Sequence, residues 1–161
     1  MVKTMDQPQR DRFTNPTPRN NGYSGFKGNE PKENAESCFS KLQYDNVWIK
    51  CEATREMVAY AEAAGKYMAD NNLTNSKIRS IYGEIKRIQM EGFEKDKTSF
   101  YLLKPKVAYA LGRDEKNQGL KLFKLIFDKC FIDVTDQKTY QNFCNFIEAI
   151  LAYHKAYGGK D

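Results

Sequence analysis

The 161 residues carry 26 lysines and arginines against 21 aspartates and glutamates, one histidine and four cysteines, for a formal net charge of +5 at pH 7. A hydrophobic fraction of 40% and a mean hydropathy of −0.75 fit one soluble domain with a modest basic bias, and no apolar run nears the roughly 18 residues that cross a bilayer. No signal-type apolar stretch opens the chain, so a reducing, cytoplasmic setting is expected.

Residues 1–34 hold four of the five prolines, five asparagines and three glycines but only six apolar or aromatic residues. Such a segment cannot bury enough surface to offset its ordering entropy, which predicts a disordered tail followed by a single domain over 35–161. Arg10, Arg12 and Arg19 with Phe13, Tyr23 and Phe26 could form an RNA-touching arm, but the composition favours a solvated tail and no site is placed there.

From Ala35 onward the apolar spacing is helical. Met57, Ala61, Ala64 and Met68 mark a helix over about Glu52–Asp70, which Asn71–Asn72 stops. Thr74 offers an N-cap to a second helix, where Ile78, Ile81, Tyr82, Ile85 and Ile88 share a narrow arc to about Gly92. A polar connection, Glu94 to Ser99, precedes a third element from about Phe100 to Gly112. Leu120, Phe123, Ile126, Phe127, Cys130 and Phe131 stripe a fourth, with Leu122 and Leu125 leaving little polar face, so it should be central. The fifth runs from a Thr135 or Asp136 cap through Tyr140, Phe143, Cys144, Ile147, Ile150 and Leu151 to Gly158–Gly159. Val47–Ile49 is too short to assign. The fold class is all-α, a compact bundle of five to six helices.

Cys38, Cys51, Cys130 and Cys144 lack the spacing of about two to four residues that places two thiolates on one zinc, so neither a metal nor a cofactor is expected. His154 sits at the end of the last helix, where a cation meets the C-terminal dipole, and is read as non-catalytic. There is no Gly-rich phosphate loop, no nucleophile with a base and no paired carboxylates around a glycine turn.

The charge is localised. Leu73–Arg113 contains nine Lys/Arg (77, 79, 86, 87, 95, 97, 104, 106, 113) and four Asp/Glu (84, 91, 94, 96), while the other 120 residues hold 17 of each sign. Basic excess on one face is the footprint of a polyanion binder. With Ile78 at the origin of the wheel, Lys86 falls at about 80°, Arg79 at about 100° and Gly83 at about 140°, so two cations flank a position without a side chain. A mid-helix glycine costs on the order of 1 kcal/mol against alanine, so Gly83 should permit a close approach, either of another helix or of a phosphate backbone. Lys104 and Lys106 flank Pro105, and Arg113 follows Lys106 by two turns with Tyr109 between. Pro105 belongs in a helix's first turn or at a kink. Lys95 and Lys97 are read as surface charge.

Leu73-Thr-Asn-Ser-Lys-Ile-Arg-Ser-Ile-Tyr-Gly-Glu-Ile-Lys-Arg-Ile88, Leu103-Lys-Pro-Lys-Val-Ala-Tyr-Ala-Leu-Gly-Arg113 and Phe146-Ile-Glu-Ala-Ile-Leu-Ala-Tyr-His-Lys-Ala-Tyr-Gly-Gly-Lys160 together resemble the small α-helical subunit of the type III-A CRISPR effector, the Csm complex. The resemblance implies a non-enzymatic subunit, present in several copies, that stacks beside the repeated backbone subunit, meets the large polymerase-like subunit and holds the crRNA–target RNA duplex in antiviral defence. It places RNA contacts on Lys77, Arg79, Lys86, Arg87, Lys104, Lys106 and Arg113, with the third block serving as core or subunit contact. The expected mechanism neutralises phosphates without reading bases, because guide–target pairing specifies the sequence. The residues alone leave two rivals. One is a helix-turn-helix DNA binder built on the first two long helices, and the other is a structural adaptor whose basic face meets an acidic protein.

Overall fold

The computed structural model describes residues 31–161, which form seven helices and no strand. Residues 1–30, most of the expected tail, lie outside the described residues. Asn34 caps α1 (Ala35–Lys41) by accepting a 2.8 Å bond from the Ser37 N–H, and the Glu33 carbonyl accepts from Tyr67. α2 (Val47–Lys50) settles the ambiguous segment as one helical turn. Its Trp48 packs on the Tyr60 and Phe146 rings at 5.1 and 5.7 Å between centroids.

The five long helices are α3 (Arg55–Asp70), α4 (Asn75–Glu91), α5 (Lys97–Gly112), α6 (Gln118–Phe131) and α7 (Gln137–Ala156). Thr54 caps α3, Asn117 caps α6, and Asp136 with Thr139 forms a reciprocal capping box at α7, each satisfying amides that the first turn leaves unbonded. Thr74 occupies the N-cap position of α4 but makes no capping bond; its hydroxyl pairs with that of Ser76 at 2.9 Å. With the five long helices, the short α1 and α2, of seven and four residues, bring the count among the described residues to seven, against the five to six expected.

α5 begins earlier than the apolar pattern predicts, because the Asp96 carboxylate accepts from the Ser99 N–H at 3.2 Å and draws the connection into the first turn. Pro105 sits in the helix interior, past the first turn that is one of its two expected places. It is on the exposed face, where the carbonyl it cannot bond is open to water.

α6 packs against α1, α3, α5 and α7, as the width of its apolar stripe predicted. The aromatic core between α5, α6 and α7 includes Phe100 on Phe131 at 4.3 Å and Phe93 on Tyr140 at 5.1 Å. α3 and α7 make the most extensive helix contact, and Gly65 allows it: a Cβ there would fall 2.6 Å from the Ile150 carbonyl oxygen and 2.7 Å from the His154 nitrogen. Tyr140 donates from α7 to the Ile85 carbonyl of α4 at 2.7 Å, fully buried.

Four long-range bonds aim α4. The Asn71 carbonyl accepts from the Gly119 N–H at 3.1 Å, the Asn72 carbonyl from Asn117 Nδ2 at 2.8 Å, and the Leu73 carbonyl bonds His154 Nε2 at 2.7 Å. The Asn75 N–H then donates to the Lys160 carbonyl at 2.8 Å. His154 lies in the last turn of α7, as expected, and is fully buried: it fastens the turn before α4. Gly159 lies so close to its ring that a Cβ would overlap it, at 2.2 Å from Cε1.

Candidate nucleic-acid interface

α4 lies at the surface with its four isoleucines in the core and α5 and α7 as neighbours. α4 and α5 run antiparallel, since Lys77 near the start of α4 meets Asp114 just past α5 while Arg87 near the end of α4 meets Asp96 and Ser99. The outward ridge of α4 carries Ser76, Ser80 and Gly83, all exposed. Among the described residues a Cβ on Gly83 would meet nothing within 4 Å, so none of the seven helices approaches it.

A groove lies on each side of the ridge. The one toward α5, about 520 Å³, is lined by Ser76, Lys77, Ser80, Lys106, Tyr109 and Arg113, with Asp114 at its end. The one toward α7, about 370 Å³, is lined by Ile78, Arg79, Tyr82, Glu148, Leu151 and Lys155. The α5 groove thus holds three cations against one carboxylate. The α7 groove holds two against one.

The seven predicted positions are not equivalent. Lys77 is bonded to Asp114, whose carboxyl it holds below the ordinary range with help from Asn117. Arg87 bonds Glu84, Glu91 and Asp96 at 2.7–2.8 Å and the Ser99 hydroxyl at 2.8 Å. These carboxylates raise its pKa, with Glu84 the largest influence. It clamps α4 to the start of α5. Lys86 reaches Glu148 of α7 at 3.1 Å, which raises its pKa, and Lys106 stands 3.7 Å from Glu84. Among the described residues Arg79, Lys104 and Arg113 have no carboxylate partner within ion-pair distance; all three are exposed. Lys104 lies apart from the grooves, with its ammonium 5.5 Å from the Phe131 ring centre on the α6 side of α5.

Sequence reasoning gave no binding role to the two tyrosines. Arg79–Tyr82–Lys86 and Lys106–Tyr109–Arg113 share one spacing, a base, a tyrosine three residues on and a second base four beyond that. In each the second cation sits 5.8 Å from the tyrosine ring centre, within the range of a cation–π contact. The repeated spacing was visible in the sequence.

All four cysteines are free, and Cys38, Cys130 and Cys144 are buried. Among the described residues no group of three or more His, Cys, Asp or Glu is placed to hold a metal, and no helix is long and apolar enough to cross a membrane.

The family model described as Csm2 Type III-A matches residues 51–160, the span from just before α3 to the chain's last turn. A protein of Streptococcus thermophilus described as "CRISPR system Cms protein Csm2" is 32% identical over 103 residues, covering 55% of this chain and 76% of that protein. No solved structure matches the chain.

Proposed function

Because the chain belongs to the Csm2 family and is thus a subunit of a type III-A CRISPR Csm complex, we propose that its part there is non-enzymatic: it grips RNA by the phosphate backbone. Lys106 and Arg113 hold phosphates in the α5 groove and Arg79 and Lys86 hold them beyond the ridge. Lys104 extends the basic surface around α5. Lys77 and Arg87 keep the two helices in register. The partners are crRNA, target RNA, the other Csm subunits and further copies of this chain, which stack in the cytoplasm for antiviral defence.

The observation that carries this reading is the open ridge. A helix-interior glycine costs about 1 kcal/mol, and no packing among the described residues requires it at Gly83. A phosphate backbone running over Ser76, Ser80 and Gly83 between two rows of cations accounts for that cost. A helix-turn-helix reader is disfavoured because Lys160 and Asp161 cover the first turn of α4, the part that such readers present to bases.

Salt dependence tests the proposal. Four phosphate contacts on single-stranded RNA give a log–log slope near −3, at about −0.7 per phosphate. Arg113→Ala should flatten it by about 0.7 while leaving the melting transition unchanged, since exposed charges matter little to stability. A flat salt dependence in the wild type overturns the phosphate grip. In the native host, a tagged chain should recover larger subunits together with short RNAs that share one constant 5′ end.

A further inference from the structure

We propose that the groove between α4 and α5 also seats one unpaired base, stacked on Tyr109; this deepens the RNA reading above and rests on it. Tyr109 is 68% exposed, a large aromatic surface left in water in the middle of a basic groove. Lys106 lies one turn before it and Arg113 one turn after, so two cations about 10 Å apart along the axis bracket the ring. The Arg113 guanidinium carbon is 5.8 Å from the ring centre, within the range of a cation–π contact. Ser76 and Ser80 on the facing helix supply hydroxyls across the groove. Asp114, which would repel a phosphate, is already bonded to Lys77 and to Asn117 Nδ2. The α7 groove is the weaker seat, because Tyr82 is half-buried there and Glu148 occupies Lys86.

A phosphate clamp alone has no use for an exposed ring. A strand held by its backbone between two cations, with an aromatic face midway, is the arrangement used for single-stranded nucleic acid, where stacking tolerates any base. Paired bases are already stacked on one another and offer a side chain only their edges, so the nucleotide on Tyr109 is unpaired.

The test uses the full chain and a short single-stranded RNA carrying the fluorescent base aminopurine at successive positions. Binding should quench one position. Tyr109→Leu should remove that quenching and weaken binding about fivefold or more, with the salt slope and the melting transition unchanged. Tyr109→Phe should retain both quenching and affinity. If Leu and Phe variants behave alike while salt-dependent RNA binding persists, the base seat is wrong and the phosphate grip stands; the ring then serves a protein neighbour. If RNA binding is absent or insensitive to salt in every variant, the phosphate grip itself fails and the seat falls with it.

Discussion

Gly83→Ala separates the two reasons a helix can hold an interior glycine. Gly83 is the middle residue of α4, and an added Cβ meets no atom within 4 Å, so the methyl group costs nothing in packing. The helix gains about 0.8–1.0 kcal/mol from the better former, which for a domain of this size raises the melting temperature by about 3–4 °C. The same methyl lifts a strand lying on the ridge by about 1.5 Å, one carbon–carbon bond. Moving a phosphate from about 4 to about 5.5 Å from one cation loses roughly 0.3 kcal/mol at the dielectric of water and roughly 1 kcal/mol at an effective value near 20. RNA affinity should then fall about two- to fivefold. Far-UV circular dichroism reads the first effect and fluorescence anisotropy with single-stranded RNA the second. A lowered melting temperature would refute the open ridge. A raised one with undiminished affinity would refute the backbone approach, leaving the glycine without a reason in RNA binding.

Gly65→Ala should do the opposite, because its Cβ would fall 2.6–2.7 Å from backbone atoms of α7 that cannot turn aside. Overpacking of this kind costs about 1–3 kcal/mol and outweighs the helix gain, so a fall in the urea midpoint is the expected result. Arg87→Met should lower the melting temperature and Arg113→Met should not, with the difference shrinking as salt is added, since only Arg87 holds three carboxylates. Glu84, Asp96 and Asp114 have pKa values below their ordinary 4.5, 3.8 and 3.8. The unfolded chain therefore binds more protons in acid, and the stability these groups lend is whole above the ordinary values and lost as pH falls through the lower ones; denaturant titrations between about pH 5 and about pH 2.5 should record the decline. Of the four thiols only Cys51 is exposed, and burial pushes Cys38 and Cys144 up to about 11. Ellman titration should find one fast thiol in the native chain and the other three only after unfolding.

The long helices were legible because their burial follows a strict period. The Ile78, Ile81, Ile85 and Ile88 arc and the Leu120–Phe131 stripe each name a core face without reference to any other element. α2 was not legible, since four residues show no period and its helical form depends on Trp48 docking against Tyr60 and Phe146. The site was legible as a charge excess but not as a geometry. Whether a lysine faces water or a carboxylate is decided by residues far along the chain: Asp114 for Lys77, 37 positions on, and Glu148 for Lys86, 62 positions on. A local count treats all such cations alike. Tyr82 shows the same limit from the apolar side, because the wheel placed it with the isoleucines while its tangential position leaves it half-buried at the lip of a groove.

Four long-range polar bonds of this fold converge on the turn that launches α4. Three consecutive carbonyls, Asn71 to Leu73, are taken by Gly119, Asn117 and His154, and the next free amide is taken by Lys160. Each of these bonds contributes about 1 kcal/mol when partly or fully buried, and together they draw on α6, α7 and the last residues of the chain. Under the proposed phosphate grip the surface reads no bases, and its only requirement is that its cations keep their spacing under the pull of a bound strand. Fixing the root of α4 from three directions, and its far end through the Arg87 clamp to α5, meets that requirement. It also explains why the ridge can tolerate small residues: α4 is held by its anchors and its isoleucine face, not by the helix propensity of Ser76, Ser80 and Gly83.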